Sequence, residues 1–109
     1  MTERILSGRV KLKIAVEFSP VFKAAYMSSP LSLELEEREA TVRGLLHRLC
    51  EISGEQVTPL LFEKGEEAVL PGLMVMVNDR VFTGTALNQQ VVELQDKDKV
   101  SLLYFISGG

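Results

Sequence analysis

The sequence has no tryptophan, one cysteine and one histidine, and no apolar run approaching a membrane span. Each shortage excludes something. With Cys50 as the single thiol, an intramolecular disulfide and any cysteine-cluster zinc or iron–sulfur site are ruled out. With His47 alone, histidine-rich metal ligation is ruled out as well. The first residues, MTERILSGRV, lack the basic, apolar and small-residue succession of a secretory signal, so a cytoplasmic protein is expected. Positive charge is also scarce: 12 basic against 15 acidic residues leave a net charge of −3. No broad positive field exists to attract nucleic acid phosphates.

What is present is the composition of an ordinary globular chain, 46% hydrophobic and 25% charged over 109 residues, long enough for one core. One domain over residues 1–109 is expected. From Val10, the residues Val10, Leu12, Ile14, Val16 and Phe18 alternate with Lys11, Lys13, Ala15 and Glu17, the period of a half-buried strand. Leu31, Leu33 and Leu35 alternate in the same way with Ser32, Glu34 and Glu36, which predicts a second strand paired with the first. The period then changes. Val42, Leu45, Leu46, Leu49 and Cys50 form one helical stripe over about 42–52, with Thr41 placed to cap its start and Gly54 to end it.

Residues 55–72 hold two prolines and two glycines around Leu60, Leu61 and Phe62, which predicts a long connection with a short helical turn. LMVMVNDRVF reads as a strand entering a tight hairpin at Asn78-Asp79. VVEL, the turn QDKDK and a final strand VSLLYFI close the chain. One helix laid across one mixed sheet satisfies this order, with the last strand parallel to the first at the centre.

Two features point toward function. The chain finishes on Gly108 and Gly109 directly after an apolar strand, although glycine is a poor residue for closing one. Two terminal glycines arise by chance in about 0.5% of chains, so either the ending is accidental or a bare carboxylate is the working group. The second feature is the sheet itself. Leu73, Val75 and Val77 point to one face while Met74 and Met76 point to the other, and Leu102, Tyr104 and Ile106 oppose Leu103 and Phe105. Both faces are apolar, and one helix covers only one. The other needs the 55–72 connection, a second copy of the chain or a partner, and Phe105, Leu103, Met74 and Met76 are the candidate docking residues.

Three stretches carry a family resemblance that spans Val10 to Gly109. ATVRGLLHRL is similar to a Thr-Val-x-x-Leu-Leu-x-x-Leu helix, MVMVNDR to a Val-Asn-Gly-Arg hairpin, and LQDKDKVSLLYFISGG to a Leu-x-Asp-Gly-Asp-x-Val strand ending in Gly-Gly. Together they resemble the ubiquitin-like β-grasp sulfur carriers (MoaD/ThiS-like), the family of the small subunit of molybdopterin synthase and the thiamine-thiazole carrier. The chain departs from the pattern in having Lys97 where a turn glycine is usual, Asp79 for the hairpin glycine, and Tyr104-Phe105 before the tail.

The resemblance implies an α+β ubiquitin-like β-grasp with one main helix across a mixed sheet. It also implies the chemistry of the tail. An E1-like adenylating partner enzyme joins the Gly109 carboxylate to AMP at the expense of ATP, and a sulfur donor converts the adenylate to a thiocarboxylate. The carrier then supplies no catalytic residues and binds no cofactor of its own, and Ser107, Gly108 and Gly109 serve as a slim, flexible tail. FISGG and the Asp-x-Asp turn resemble the molybdopterin (molybdenum cofactor) branch best, with the large subunit of molybdopterin synthase as acceptor. Thiamine, cysteine and tRNA thiolation use similar carriers. A ubiquitin-like protein modifier linked through Gly109 to lysines, and a β-grasp binding module acting through its second sheet face, are the rival readings.

Other conspicuous residues have plainer readings. His47 is expected on the helix's solvent face, Cys50 in the core stripe, and Asp96 and Asp98 as caps of local backbone. ELEEREA, residues 34–40, reads as a solvated acidic stretch before the helix.

Overall fold

The computed structural model describes residues 11–18, 31–53, 57–63 and 68–104. Five strands form one mixed sheet in the order β2-β1-β5-β3-β4: β1 Lys11–Phe18, β2 Leu31–Glu36, β3 Leu73–Val77, β4 Arg80–Thr83 and β5 Lys99–Tyr104. β1 pairs antiparallel with β2 and parallel with β5, and β3 pairs antiparallel with both β4 and β5. The last strand is therefore central and parallel to the first, as the order of elements predicts.

Helix α1, Val42–Ser53, crosses one face of the sheet. Thr41 caps it: the Gly44 amide donates to Thr41 Oγ1 at 2.9 Å, satisfying one of the amides that a helix start leaves without a partner. Val42, Leu45, Leu46 and Leu49 are completely buried, and they meet Ile14 and Val16 of β1, Leu35 of β2, Val75 of β3 and Val100 and Leu102 of β5 in one core. Burying each Leu or Val contributes about 1.5–3 kcal/mol relative to exposure, so this stripe fixes the helix to the sheet more firmly than its propensity does. Gly54 lies outside the described residues. Cys50 is half-buried against the core's edge, less deep than the stripe predicts.

The long connection contains α2, Thr58–Leu61, over the predicted apolar turn. Phe62 and Val69 then form an isolated antiparallel bridge. Val57, Leu61, Phe62 and Val69 join the same core as α1. The described part of the connection therefore packs on the helix side and does not supply the cover for the sheet's second face. After β4 comes α3, Gly84–Leu87, which the sequence pattern does not announce; Thr83 Oγ1 caps it by accepting from the Ala86 amide at 3.1 Å. Asn88 follows and mimics a strand: its amide group donates to Val69 O at 2.9 Å and accepts from Val69 N at 2.8 Å, while Arg43 of α1 donates to it at 3.0 Å. One side chain thereby ties the connection, α1 and α3 together. VVEL pairs with the chain just before α1 and not with the sheet, through Val42 N to Val92 O at 2.9 Å and Leu94 N to Ala40 O at 2.8 Å. Within ELEEREA, residues 34–36 finish β2 and Glu37–Glu39 form a 3-10 turn.

The QDKDK turn knits three strands. Asp96 Oδ1 accepts from Lys13 N at 2.8 Å, Asp98 Oδ2 from Gln95 N at 2.8 Å, and Asp98 Oδ1 from Asn78 Nδ2 at 3.0 Å. Both carboxylates thus serve backbone and turn geometry, as expected for such a tract. Among the described residues, two that are not glycine have positive φ, Asn78 at 55° and Lys97 at 74°. Asparagine tolerates that region; lysine does so only at a cost of about 1 kcal/mol or more. Lys97→Gly is therefore expected to stabilise the fold by up to about 1 kcal/mol, read as a higher urea midpoint with an unchanged m-value.

Candidate functional site

The site divides into a tail and the face beside it. Ser107, Gly108 and Gly109, with Phe105, lie outside the described residues. β5, which leads into them, is hydrogen-bonded on both sides as far as the pairs Phe18–Leu102 and Leu73–Tyr104. A central strand held by two neighbours is the most rigid mount a sheet provides, since no edge is left to fray.

Opposite α1, strand alternation sends the other set of side chains to the second face. Met74 lies directly across from Leu103 on one side and Thr83 on the other, and Met76 across from Ser101 and Val81. Met74, Met76 and Leu103 are half-buried, Val81 is 51% exposed, and none of the four belongs to the buried core. The three predicted docking residues on described chain are thus brought together into one apolar patch. Val81 is the member that sequence reading missed. The signal was available: a two-residue turn at Asn78-Asp79 fixes the register that puts Val81 beside Met76.

The patch has a charged border. Across β1 and β2 the same face carries Lys11, Lys13, Glu17 and Glu34, with Lys99 Nζ 3.3 Å from Glu17 Oε2 and Lys11 Nζ 4.0 Å from Glu34 Oε1. These pairs are half-exposed, so each contributes little to stability, but together they make the face part apolar and part ionic. The apolar patch on β5, β3 and β4 thus adjoins an ionic strip on β1 and β2.

The remaining polar residues serve structure. His47 does not stand free in solvent as expected; it is half-buried and stacked on Phe62, ring centroids 4.6 Å apart at 23°, because the connection returns over the helix. A groove beside α1 is lined by Arg38, Arg43, His47 and Arg48, yet Arg38 pairs with Glu36 at 3.1 Å, Arg48 with Glu51 at 2.8 Å and Arg43 with Asn88. Among the described residues no three of His, Cys, Asp or Glu converge as a metal site, and no helix is long and apolar enough to cross a membrane.

A mixed five-stranded sheet crossed by one helix, with its last strand central and parallel to its first, is the β-grasp of ubiquitin-like proteins. Residues 9–109 match the model of the Urm1 (ubiquitin related modifier) family, and the chain belongs to that family. Solved structures agree on the fold. Small archaeal modifier protein 1 from Methanosarcina acetivorans is similar with a TM-score of 0.72 at 21% identity, over 92% of this chain and 99% of that one. A candidate subunit 1 of molybdopterin converting factor from Pyrococcus furiosus gives 0.65 at 22%, over 87% and 99%. Urm1 from Trypanosoma brucei gives 0.62 at 22%, over 91% and 97%. No curated protein matches the sequence.

Proposed function

We propose that the chain is a sulfur carrier whose Gly109 carboxyl is converted to a thiocarboxylate. The observation that supports this most is the family match running through residue 109, onto a Gly-Gly tail that follows the doubly paired central strand. A carboxylate is a poor electrophile. An E1-like adenylating enzyme uses ATP to form the Gly109 acyl adenylate and releases pyrophosphate; a sulfur nucleophile then attacks the acyl carbon and AMP leaves with the C–O bonding pair. With hydrosulfide as the nucleophile, its S–H proton passes to solvent and the tail ends in C(=O)S⁻. With a persulfide donor, the acyl disulfide formed first is cleaved by a thiol that attacks the donor's sulfur, is oxidised to a disulfide with it, and releases C(=O)S⁻. Glycine at both terminal positions lets the backbone thread a narrow channel without a Cβ.

The proposed sink is molybdopterin synthesis, with the large subunit of molybdopterin synthase accepting the sulfur, because the Asp96–Asp98 turn and FISGG resemble that branch best. The test is intact mass after incubation with the host's adenylating enzyme, ATP and a sulfur donor. A gain of about 16 Da, oxygen replaced by sulfur, is expected on the full chain. No gain with an enzyme shown to bind the chain overturns the reading.

A second reading, protein modification through an isopeptide bond from Gly109 to a lysine, is favoured by the family's description as a modifier. Both readings need the adenylate, and they part at the nucleophile that follows.

The apolar face is the proposed docking surface for the adenylating enzyme. Met76→Asp is expected to weaken that binding by about 30-fold, the equivalent of about 2 kcal/mol for a central apolar contact. Val91→Asp, at a residue 75% exposed outside the sheet, is the matched control and leaves the Kd within about twofold. Equal Kd values for both variants, by calorimetry, would remove the face from the interface.

A further inference from the structure

Lys97 is a lysine in a backbone conformation that disfavours it. It sits at φ 74° in the turn before β5, its amide donates to Lys13 O at 2.8 Å, and both flanking carboxylates are engaged by other groups, Asp96 by Lys13 N and Asp98 by Gln95 N and Asn78 Nδ2. Residues held in strained conformations against their own preference direct attention to what the side chain does. Lys97 is exposed, and among the described residues its ammonium forms no ion pair, whereas Lys11 and Lys99 are paired with Glu34 and Glu17. Lys13, exposed and without a described ion pair as well, lies in the extended backbone of β1, so Lys97 alone of these combines an ammonium lacking a described ion pair with a left-handed backbone. The side chain therefore contributes no described ion pair that would offset the strain, and is presented to solvent by a turn locked on three sides.

Its position relative to the tail matters as much. Lys97 precedes β5 and the tail follows it, so the two lie at opposite ends of one strand, separated by about 17 Å along the Lys99–Tyr104 segment alone. The five residues 105–109 span at most about 17 Å when extended, so a tail would have to double back along its own sheet to reach Lys97 of the same chain. A second copy meets no such limit. Donor and acceptor at opposite ends of the unit give a head-to-tail arrangement, which repeats without closing.

From this we infer that Lys97 is an acceptor for the activated Gly109 of another copy, so that the protein links to itself in head-to-tail chains. The inference rests on the modifier reading above. The step balances with ATP as the co-reactant: the adenylating enzyme forms the Gly109 acyl adenylate, the Lys97 ammonium gives one proton to solvent, and its amine attacks the acyl carbon. An amide C–N bond forms as the attacking nitrogen gives its second proton to solvent, the acyl C–O bond to phosphate breaks, and AMP leaves with the bonding pair.

The test incubates the full-length chain with its adenylating enzyme and ATP, without a sulfur donor, beside Lys97→Arg. Arginine keeps the charge, the length and the backbone strain but removes the nucleophile. The expected result is a ladder of covalent multimers on denaturing gels, reduced at least tenfold in the variant. No Lys or Arg lies between Val100 and Gly109, so trypsin leaves VSLLYFISGG as the branch, which mass spectrometry places on Lys97. A ladder that persists in Lys97→Arg, or branches confined to other lysines, overturns the inference and leaves the modifier reading standing. An adenylate that forms and discharges with no lysine branch anywhere overturns both.

Discussion

Removing Gly108 and Gly109 is expected to lower thiocarboxylate formation below detection while shifting the melting temperature by no more than about 2 °C. The two halves of this result have separate causes. Every residue of the described core lies at or before Leu102, and the last described sheet pair is Leu73–Tyr104, so the tail contributes nothing described to the packing that holds the fold. Loss of a few tenths of a kcal/mol corresponds to about that shift for a domain of this size. The chemistry responds differently, because the truncated chain ends at Ser107 and its carboxyl is two residues, about 7 Å, short of the position that the full tail reaches. An error of even about 1 Å in a reacting group costs on the order of 100-fold, so a deficit of several ångströms removes the reaction. A deletion variant that still gains about 16 Da would place the working group elsewhere.

The fold was legible where one residue's neighbours in sequence decide its environment. Alternation along Lys11–Phe18 announced β1, the Val42–Leu49 stripe announced α1, and the apolar VSLLYFI stretch announced β5. Met74, Met76 and Leu103 were legible for the same reason, since period two assigns the face before any partner strand is known. The connection was harder. Its prolines and glycines mark a loop correctly, but whether Leu61, Phe62 and Val69 pack on the helix side or over the open face depends on contacts far apart in sequence. Asn88 shows the limit most plainly: nothing in LNQQ reveals an amide that replaces a strand for Val69, 19 residues away. His47 failed in a similar way, because helical spacing placed it outward while the stacking Phe62 comes from the connection.

Gly84→Ala is expected to destabilise the protein by about 3 kcal/mol, the largest effect among the three described glycines. Alanine is ordinarily the better helix residue by about 1 kcal/mol, so propensity alone predicts the opposite sign. Geometry decides against it. A Cβ at residue 84 would overlap the Leu70 carbonyl oxygen and crowd Pro71 Cα at 3.1 Å. Neither neighbour moves easily: Leu70 N donates to Leu61 O at 2.9 Å, Leu70 O accepts from Leu73 N at 3.1 Å, and Pro71 has a fixed φ. Relieving the overlap means shifting either α3 or the backbone leading into β3, which overpacking studies place at about 1–3 kcal/mol and occasionally more. Gly44→Ala should lose stability for the same reason and by a smaller amount, since its Cβ would overlap the Glu39 carbonyl oxygen of an exposed 3-10 turn that has more room to yield. Gly72→Ala, where nothing lies within 4 Å, is the control and should be neutral or stabilising by about 0.5 kcal/mol. Urea unfolding of the three variants ranks them, with Gly84→Ala lowest; a Gly84→Ala midpoint equal to that of the parent would mean that α3 does not press on the Leu70–Pro71 backbone, and the route by which the connection reaches β3 would have to be redrawn.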